Sequence, residues 1–179
     1  MKNSAPLRPC VFFDRDGVAN RSPGPGYVNR LADFHVLPGF AACVRAAADH
    51  GFPAVIVTNQ RGLARGLTPP EELAAMHRRL RAELAREGLE LLDILICPAE
   101  DDAHPDRKPN PGMLRAAAHR HRLDLAKSWM VGDRESDVQT GRNAGVAVTV
   151  LVDDGSAPTA ATHRVPDMPA CAALLRAQL

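Results

Sequence analysis

Residues 11–18 of the chain read Val11-Phe12-Phe13-Asp14-Arg15-Asp16-Gly17-Val18. The opening apolar run is typical of a strand that is buried on both faces in the middle of a parallel sheet. Such sheets bind ligands just beyond the carboxyl ends of their strands, which is where Asp14 and Asp16 stand. In an extended segment residues i and i+2 point to the same side, so both acids can face one small volume.

Two carboxylates this close repel each other unless a cation or a shared proton lies between them. A divalent metal removes the repulsion, and hard oxygen ligands suit Mg²⁺. The same residues also fit a buried strand that ends in an ordinary turn rich in Asp and Gly. A motif this short does not decide between the two interpretations.

Length and charge narrow the classes of protein. The chain has 179 residues, which fits one domain over residues 1–179. Its 22 basic and 21 acidic residues give a formal net charge of +1, and only 4% of its residues are aromatic. This balance disfavours a dedicated nucleic-acid binder, which needs basic surface and stacking platforms. We therefore expect no nucleic-acid partner.

Targeting signals and cysteine usage favour a cytoplasmic protein. No apolar stretch approaches the roughly 20 residues that span a bilayer, and residues 1–6 lack the apolar core of a signal peptide. The four cysteines are widely scattered, which predicts reduced and mostly buried thiols. We expect no membrane partner and a monomer.

Apolar runs alternate with helical patterns along the chain. Strands are predicted at about residues 11–13, 53–57, 91–97, 129–133 and 146–152, and helices at about 39–50, 68–87, 112–121, 136–143 and 169–178. Thr68 is predicted to cap its helix, after a loop over residues 61–67. This alternation predicts an α/β fold with a doubly wound parallel sheet. The Pro- and Gly-rich stretch at about residues 20–38 is expected to form a lid loop.

Polar clusters follow four of the predicted strands, where a parallel sheet brings them to one edge. They combine a pair of acids, a hydroxyl, basic residues and further acids, which is the composition of a phosphoryl-transfer site. The clusters are Asp14/Asp16, Thr58/Asn59, Arg107/Lys108 and Asp133/Asp137.

The clusters, in this order and spacing, resemble the four motifs of the haloacid dehalogenase (HAD) superfamily. Within it, about residues 11–152 are similar to the heptose bisphosphate phosphatases and to the related histidinol-phosphate phosphatases. The matching segments are Asp14-Arg15-Asp16-Gly17, Gly26-Tyr27-Val28, Thr58-Asn59-Gln60, Ala64-Arg65-Gly66, Arg107-Lys108-Pro109-x-Pro111-Gly112-Met113 and Met130-Val131-Gly132-Asp133. The resemblance implies a Rossmann-like HAD fold with no large cap domain.

The resemblance also implies catalytic roles. Asp14 would attack phosphorus and form an aspartyl-phosphate, while Asp16 would act as general acid and then as general base. Mg²⁺ would be held by the Asp14 carboxylate, the Asp16 backbone carbonyl and Asp133. Thr58 and Lys108 would bind the phosphoryl oxygens. Asp137 is expected to orient Lys108 or a metal-bound water.

The implied substrate is a small phosphorylated sugar, with D-glycero-D-manno-heptose 1,7-bisphosphate favoured. Arg107 is expected to bind a second phosphate or sugar hydroxyls through its forked donors. Tyr27 is equally compatible with a structural anchor in the lid, and Arg61 with a phosphate contact or a solvated side chain. The remaining candidates for substrate binding are Gly26, Asn59, Gln60 and Arg134.

One segment departs from the resemblance. Relatives carry a zinc loop with a Cys-x-His pair and a Cys-x-Cys pair before the Arg-Lys-Pro segment. Here Cys97 is followed two residues later by Ala99, and the second pair is absent. Because one cysteine and one histidine cannot close a tetrahedral site, we predict no structural zinc.

Three other functions compete with the favoured one. A histidinol-phosphate phosphatase would run the same chemistry, and its amine substrate would need an acid such as those of Glu100-Asp101-Asp102. A nucleic-acid 3′-phosphatase is disfavoured by the near-neutral charge. A non-catalytic phosphate-binding module would not need both Asp14 and Asp16.

Overall fold

The computed structural model describes residues 6–179. Residues 1–5, part of the stretch expected to lack a signal peptide, lie outside the described residues. Strands and helices alternate along the chain. The strands are β1 (Val11–Phe13), β2 (Ala54–Asn59), β3 (Asp93–Cys97), β4 (Trp129–Gly132), β5 (Val148–Val152) and β6 (His163–Val165). The helices are α1 (Phe40–Asp49), α2 (Arg61–Ala64), α3 (Pro70–Ala85), α4 (Gly112–His121), α5 (Glu135–Ala144) and α6 (Met168–Gln178).

The strands form one parallel sheet in the order β3-β2-β1-β4-β5-β6. The predicted doubly wound α/β fold is confirmed, and no large cap domain interrupts it over residues 6–179. Phe13 in the central strand pairs in register with Ile56 of β2 and Val131 of β4. This register brings the carboxyl ends of β1, β2 and β4 together at one edge of the sheet.

The apolar run of β1 contributes to both faces of the sheet. Phe13 lies in one buried cluster, where its ring meets Phe40 of α1 edge to face at 5.4 Å between centroids. Phe12 belongs to the cluster on the opposite face, with Leu114 of α4. Both phenylalanines are fully buried. Burial on both faces explains why this strand is a continuous apolar run rather than an alternating one.

Two local predictions are wrong. Residues 61–67 are not all loop, since Arg61–Ala64 form the short helix α2. Thr68 does not cap α3, which has Pro69 at its N-cap and no side-chain capping bond. The Thr68 hydroxyl instead donates to Oδ1 of Asn29 at 2.8 Å. A long-range hydrogen bond to the 20–38 segment thus replaces the local cap.

Strand β6 is an addition to the five predicted strands. It has three residues, of which only Val165 is buried, so it lacks an apolar run that would mark it in the sequence. It pairs with β5 in register from Val150–His163 to Val152–Val165. The four cysteines are free and buried, as predicted. Over residues 6–179 no helix combines the length and apolarity that crossing a membrane requires.

Candidate active site

A cavity of about 310 Å³ opens where β1, β2 and the segments before α4 and α5 meet. Most of its lining was predicted from the sequence: Asp14, Asp16, Gly26, Tyr27, Thr58, Asn59, Arg61, Arg107, Lys108, Arg134 and Asp137. Of the four further lining residues, Pro23, Gly24 and Pro25 belong to the predicted lid loop, and Ser136 was not predicted. The structure thus brings together clusters that are more than a hundred residues apart in the chain.

Lys108 is the cation at the base of the cavity. Its Nζ lies 2.5 Å from Oδ1 of Asp14 and 2.6 Å from Oδ1 of Asp137, and all three side chains are nearly inaccessible to solvent. Nζ also donates to the carbonyl of Val57 at 3.2 Å. Burial opposes the charge of Lys108, but Asp137 and Asp14 outweigh burial and raise its pKa. The ion pair with Asp137 agrees with the expectation that this acid orients Lys108.

Asn59 fixes the backbone that carries Lys108. Its Oδ1 accepts from the Lys108 amide at 3.1 Å, and its Nδ2 donates to the Lys108 carbonyl at 3.2 Å. The side chain of Asn59 therefore spends one donor and one acceptor on the protein, although it borders the cavity. These contacts support the backbone of Lys108, and the expected role of Asn59 in substrate binding stays a prediction.

Three carboxylates lie close enough to share a cation. Asp14, Asp133 and Asp137 each offer an oxygen within 4.8 Å of the others. Burial, followed by the charge of Asp137, raises the pKa of Asp133 to about 6. Burial also raises the pKa of Asp14 to about 7, against the opposing pull of Lys108. Such crowding of buried acids is relieved by a divalent ion.

The Asp133 carboxylate meets the requirements of a metal ligand. Its Oδ1 is buried and has no hydrogen-bond partner among the described residues. A buried, unpaired carboxylate oxygen is costly unless a cation satisfies it. Gly17, at φ +99°, allows the close approach, because a Cβ there would lie 2.1 Å from Oδ2 of Asp133. The residues present therefore fit a divalent metal.

The carboxylate of Asp16 contacts three hydrogen-bond donors. It does not belong to the cluster formed by Asp14, Asp133 and Asp137. Its oxygens accept from the buried guanidinium of Arg15 at 2.8–3.1 Å, from Nδ2 of Asn20 at 2.9 Å and from Nε2 of Gln60 at 3.0 Å. The three donors fix the orientation of the Asp16 carboxylate beside the cavity. Arg15 and Asn20 were missed as site residues, although Arg15 stands inside the motif itself.

Gln60 lies behind the cavity rather than on its wall. It is 3% exposed, and its Nε2 donates both to Asp16 and to Oγ1 of Thr58 at 2.9 Å. The amide thus links the side chain expected to move protons with the side chain expected to bind phosphoryl oxygens. These contacts suit a residue that positions both side chains, and the role of Gln60 in substrate binding stays a prediction.

The outer part of the cavity is rich in arginine. Arg61, Arg107 and Arg134 all line it, and Arg134 stands at the N-cap of α5, where its amide donates to Oδ2 of Asp137 at 3.1 Å. Tyr27, from the predicted lid, accepts from Nη1 of Arg65 through its hydroxyl oxygen at 3.2 Å. Residues 23–27 cover one side of the cavity, and the lid role of residues 20–38 stays a prediction.

The segment at the position of the relatives' zinc loop brings one cysteine and one histidine together. Cys97 Sγ lies 3.8 Å from Nδ1 of His104, and that nitrogen also accepts from the amide of Asp106 at 3.2 Å. A closed structural zinc site needs four ligands. The absence of structural zinc stays a prediction.

Comparisons with known proteins agree with this geometry. The family model for HAD-hydrolase-like proteins matches residues 106–174. A D-glycero-alpha-D-manno-heptose-1,7-bisphosphate 7-phosphatase of Burkholderia mallei is 38% identical over 174 residues, covering 90% of this chain and 86% of the relative. The D-glycero-D-manno-heptose-1,7-bisphosphate 7-phosphatase of Thermosynechococcus vestitus is 41% identical over 162 residues, covering 83% and 80%.

A solved structure extends the similarity to the fold. The D,D-heptose 1,7-bisphosphate phosphatase from B. bronchiseptica, complexed with magnesium and phosphate, has a TM-score of 0.84 and 34% identity. The match covers 96% of this chain and 99% of that one. These relatives are phosphatases, so the alternative of a non-catalytic module is set aside. The chain belongs to the HAD phosphatases and is a phosphoric monoester hydrolase.

Proposed function

We propose that the chain removes the 7-phosphate of D-glycero-D-manno-heptose 1,7-bisphosphate, with Mg²⁺ as its cofactor. The observation that carries this proposal is the division of charge in the cavity. Lys108 is paired with Asp14 and Asp137 at the base, while three arginines line the same space. A substrate with a reacting phosphate and a second anionic group matches this division.

Asp14 is the proposed nucleophile. One carboxylate oxygen forms a bond to phosphorus as the bond from phosphorus to the C7 oxygen of the sugar breaks, which gives an aspartyl-phosphate. Lys108, held beside Asp14, balances charge on the phosphoryl oxygens, and Thr58 donates to them. Thr58 lies in strand β2, and buried ion pairs hold the ammonium of Lys108, so both groups need little reorganisation during the reaction.

Asp16 is the proposed proton carrier. In its protonated form it gives a proton to the departing C7 oxygen, and the resulting carboxylate then takes a proton from the water that attacks phosphorus. That second attack releases phosphate and restores Asp14. The donors of Arg15, Asn20 and Gln60 hold the Asp16 carboxylate in one orientation for both steps.

Magnesium is proposed at the carboxylates of Asp14 and Asp133, with the backbone carbonyl of Asp16 as a further ligand. When bound, it would neutralise charge on the transferring phosphoryl group. The support is the unpartnered Oδ1 of Asp133 and the clustering of its carboxylate with Asp14. The B. bronchiseptica relative, which is complexed with magnesium and phosphate, also supports a magnesium site.

The arrangement of acids disfavours histidinol phosphate. A substrate amine would need an acid beyond those of the reaction site, yet Glu100 and Asp102 do not line the cavity. Glu100 instead pairs with Arg65 at 2.9 Å, and Asp102 pairs with Arg61 and Arg107. A cationic amine would therefore face guanidinium groups.

A phosphate-release assay tests the proposal. It compares both anomers of the heptose bisphosphate with histidinol phosphate and simple hexose phosphates, using Asp14→Asn as the inactive control. We expect kcat/KM for a heptose bisphosphate to exceed that for every other substrate by at least about tenfold, or about 1.4 kcal/mol. A kcat/KM for histidinol phosphate equal to that for the heptose bisphosphate would overturn the assignment of substrate.

A further inference from the structure

One exposed carboxylate joins two of the arginines that line the cavity. Oδ1 of Asp102 accepts from Nη2 of Arg61 at 3.0 Å and from Nε of Arg107 at 2.7 Å. The side chain of Asp102 is 83% exposed, whereas those of Arg61 and Arg107 are 25% and 13% exposed. Asp102 therefore lies outside the cavity and the two guanidiniums extend inward from it.

Backbone carbonyls of the same loop hold each arginine at a second point. Arg61 Nη2 also donates to the carbonyl of Glu100 at 3.2 Å, and Arg107 Nη1 donates to that of Ala99 at 3.1 Å. Two guanidiniums repel each other when they are close. The shared carboxylate offsets that repulsion, so both can stay beside one cavity.

Each arginine keeps donors that the protein does not use. Over residues 6–179, Nη1 of Arg61 and Nη2 of Arg107 donate to no protein group. A guanidinium has five N–H donors in a fixed fork that matches phosphate oxygens. The hydrogen bond and charge of Arg107, and then the charge of Arg61, lower the pKa of Asp102. Asp102 is thus an anion at neutral pH, as its ion-pair bridge between Arg61 and Arg107 requires.

We infer that Asp102 is a positioning residue that holds Arg61 and Arg107 together as one site for the non-reacting phosphate of the substrate. Arg61 is then a specificity-determining residue of this chain, beside the expected role of Arg107. The inference rests on the proposed function, because it assumes a substrate with two phosphates. It also gives the acidic loop Glu100-Asp101-Asp102 a role beside the cavity, through Asp102.

The variant Asp102→Asn tests the bridge. Asparagine keeps the size of the side chain but loses the charge shared by the arginines. We expect KM for the heptose 1,7-bisphosphate to rise about fivefold, the effect of losing an exposed ion-pair network, with kcat unchanged. The matched monophosphate, heptose 7-phosphate, lacks the second phosphate, so its KM and kcat should stay within about twofold of wild type.

Asp101→Asn is the matched control. Asp101 lies in the same loop, and its Oδ1 accepts from the amide of Ala103 at 2.9 Å, a bond that asparagine preserves. This variant removes the same charge one residue away without touching either arginine, so KM for both substrates should match wild type. A rise in KM equal to that of Asp102→Asn would show a general charge effect and would overturn the bridge.

Arg61→Ser tests the second half of the inference. Losing a charged donor to phosphate should raise KM for the bisphosphate about tenfold or more, and leave the monophosphate within about twofold. An unchanged KM for the bisphosphate, or an equal loss on both substrates, overturns the role of Arg61. The wild type separates this result from the proposed function. If wild type rejects the bisphosphate, both proposals fall, whereas bisphosphate turnover that is insensitive to both variants overturns the bridge alone.

Discussion

Oδ1 of Asp14 lies 2.5 Å from Nζ of Lys108, so the proposed nucleophile and its neighbouring cation form one buried ion pair. Removing one partner of such a pair leaves an uncompensated charge, which is more costly than the pair is stabilising. Asp137 provides a second carboxylate for the same ammonium at 2.6 Å. The consequences of losing Asp14 and of losing Lys108 therefore differ.

Asp14→Asn should abolish turnover and leave the fold intact. The amide cannot attack phosphorus, so we expect kcat to fall by more than about a thousandfold. Lys108 keeps its ion pair with Asp137, so the buried ammonium stays compensated. Phosphate release and a thermal melt followed by circular dichroism give the two readouts. A variant that keeps a tenth of wild-type kcat would contradict Asp14 as the nucleophile.

Lys108→Met should have opposite effects on turnover and on metal binding. It removes the cation that faces Asp14 and Asp137, which costs about 3 kcal/mol of folding free energy in metal-free protein. The same loss makes the site more negative, so Mg²⁺ should bind about tenfold or more tightly than in wild type. Turnover should be lost because the phosphoryl group has no ammonium partner.

Isothermal titration with MgCl₂ checks the sign of this prediction. The control is Lys127→Met. Lys127 is an exposed lysine, and its Nζ lies 3.7 Å from Asp124, which does not belong to the cluster of Asp14, Asp133 and Asp137. Its Mg²⁺ affinity should equal that of wild type. Weaker Mg²⁺ binding in Lys108→Met would contradict the placement of the metal beside Asp14.

Gly17→Ala should weaken Mg²⁺ binding because its Cβ would displace the carboxylate of Asp133. The new atom would lie 2.1 Å from Oδ2 of Asp133, and the backbone at φ +99° is already unfavourable for alanine. We expect a loss of about 2 kcal/mol or more in stability. The affinity for Mg²⁺, measured by titration, should fall by about tenfold.

Gly88→Ala separates the effect of backbone strain from the effect of a displaced Asp133 carboxylate. Gly88 also has a positive φ, of +71°, but a Cβ there would have no neighbouring atom within 4 Å. This variant should lose about 1 kcal/mol through backbone strain alone, with unchanged Mg²⁺ affinity. Equal Mg²⁺ affinities in the two variants would show that Gly17 matters only for its backbone.

Gln60→Leu should lower kcat and spare KM. Leucine removes the amide that donates to Asp16 and Thr58, while Arg15 and Asn20 still hold Asp16. Losing a buried hydrogen bond to a charged group costs about 1.5 kcal/mol, which corresponds to about tenfold in kcat. KM should stay within about twofold of wild type, because Gln60 does not line the cavity.

Gln139→Leu is the comparison for this effect. Gln139 lies on α5, and its Nε2 donates to Oδ1 of Asn143 at 2.8 Å, away from Asp16. Its kcat should equal that of wild type. If Gln60→Leu raises KM and leaves kcat unchanged, then Gln60 contacts substrate instead of positioning the catalytic groups.

The strand ends and their order were readable from the sequence because they are local signals. The apolar run before Asp14 marks a buried strand, and helix α4 begins and ends at the predicted residues, Gly112 and His121. The parallel topology then places Thr58 and Asp133 beside Asp14. Because the carboxyl ends of parallel strands meet at one edge of the sheet, several local patterns in the sequence predict one common site.

The supporting contacts were not readable because they join segments far apart in the chain. Thr68 has the residue type of a helix cap, yet its hydroxyl bonds to Asn29, which is 39 residues away. Arg61 and Asp102 are 41 residues apart, and Gln60 and Asp16 are 44 apart. These pairs depend on how loops lie over the finished sheet, and no spacing in the sequence encodes that.

His77 should make stability depend on pH between about 6.5 and 4. Burial, followed by the charge of Arg15, lowers its pKa from 6.5 to about 4; Arg81 also lowers it, and Asp16 opposes the shift. Its Nε2 is buried and unpartnered among the described residues. Below pH 6.5 His77 binds a proton in the unfolded chain but not in the folded protein. Protonation therefore lowers the free energy of the unfolded state relative to the folded state. Stability should fall by up to about 3 kcal/mol as the pH drops to 4.

Denaturant titrations at pH 7 and pH 4.5 measure this effect. In His77→Gln, which cannot bind the proton, the loss of unfolding free energy between the two values should be about 2 kcal/mol smaller than in wild type. His119→Gln removes an exposed histidine of α4 and serves as the control for one fewer titratable side chain. An identical pH dependence in His77→Gln and wild type would mean that folded His77 takes up its proton as readily as the unfolded chain does.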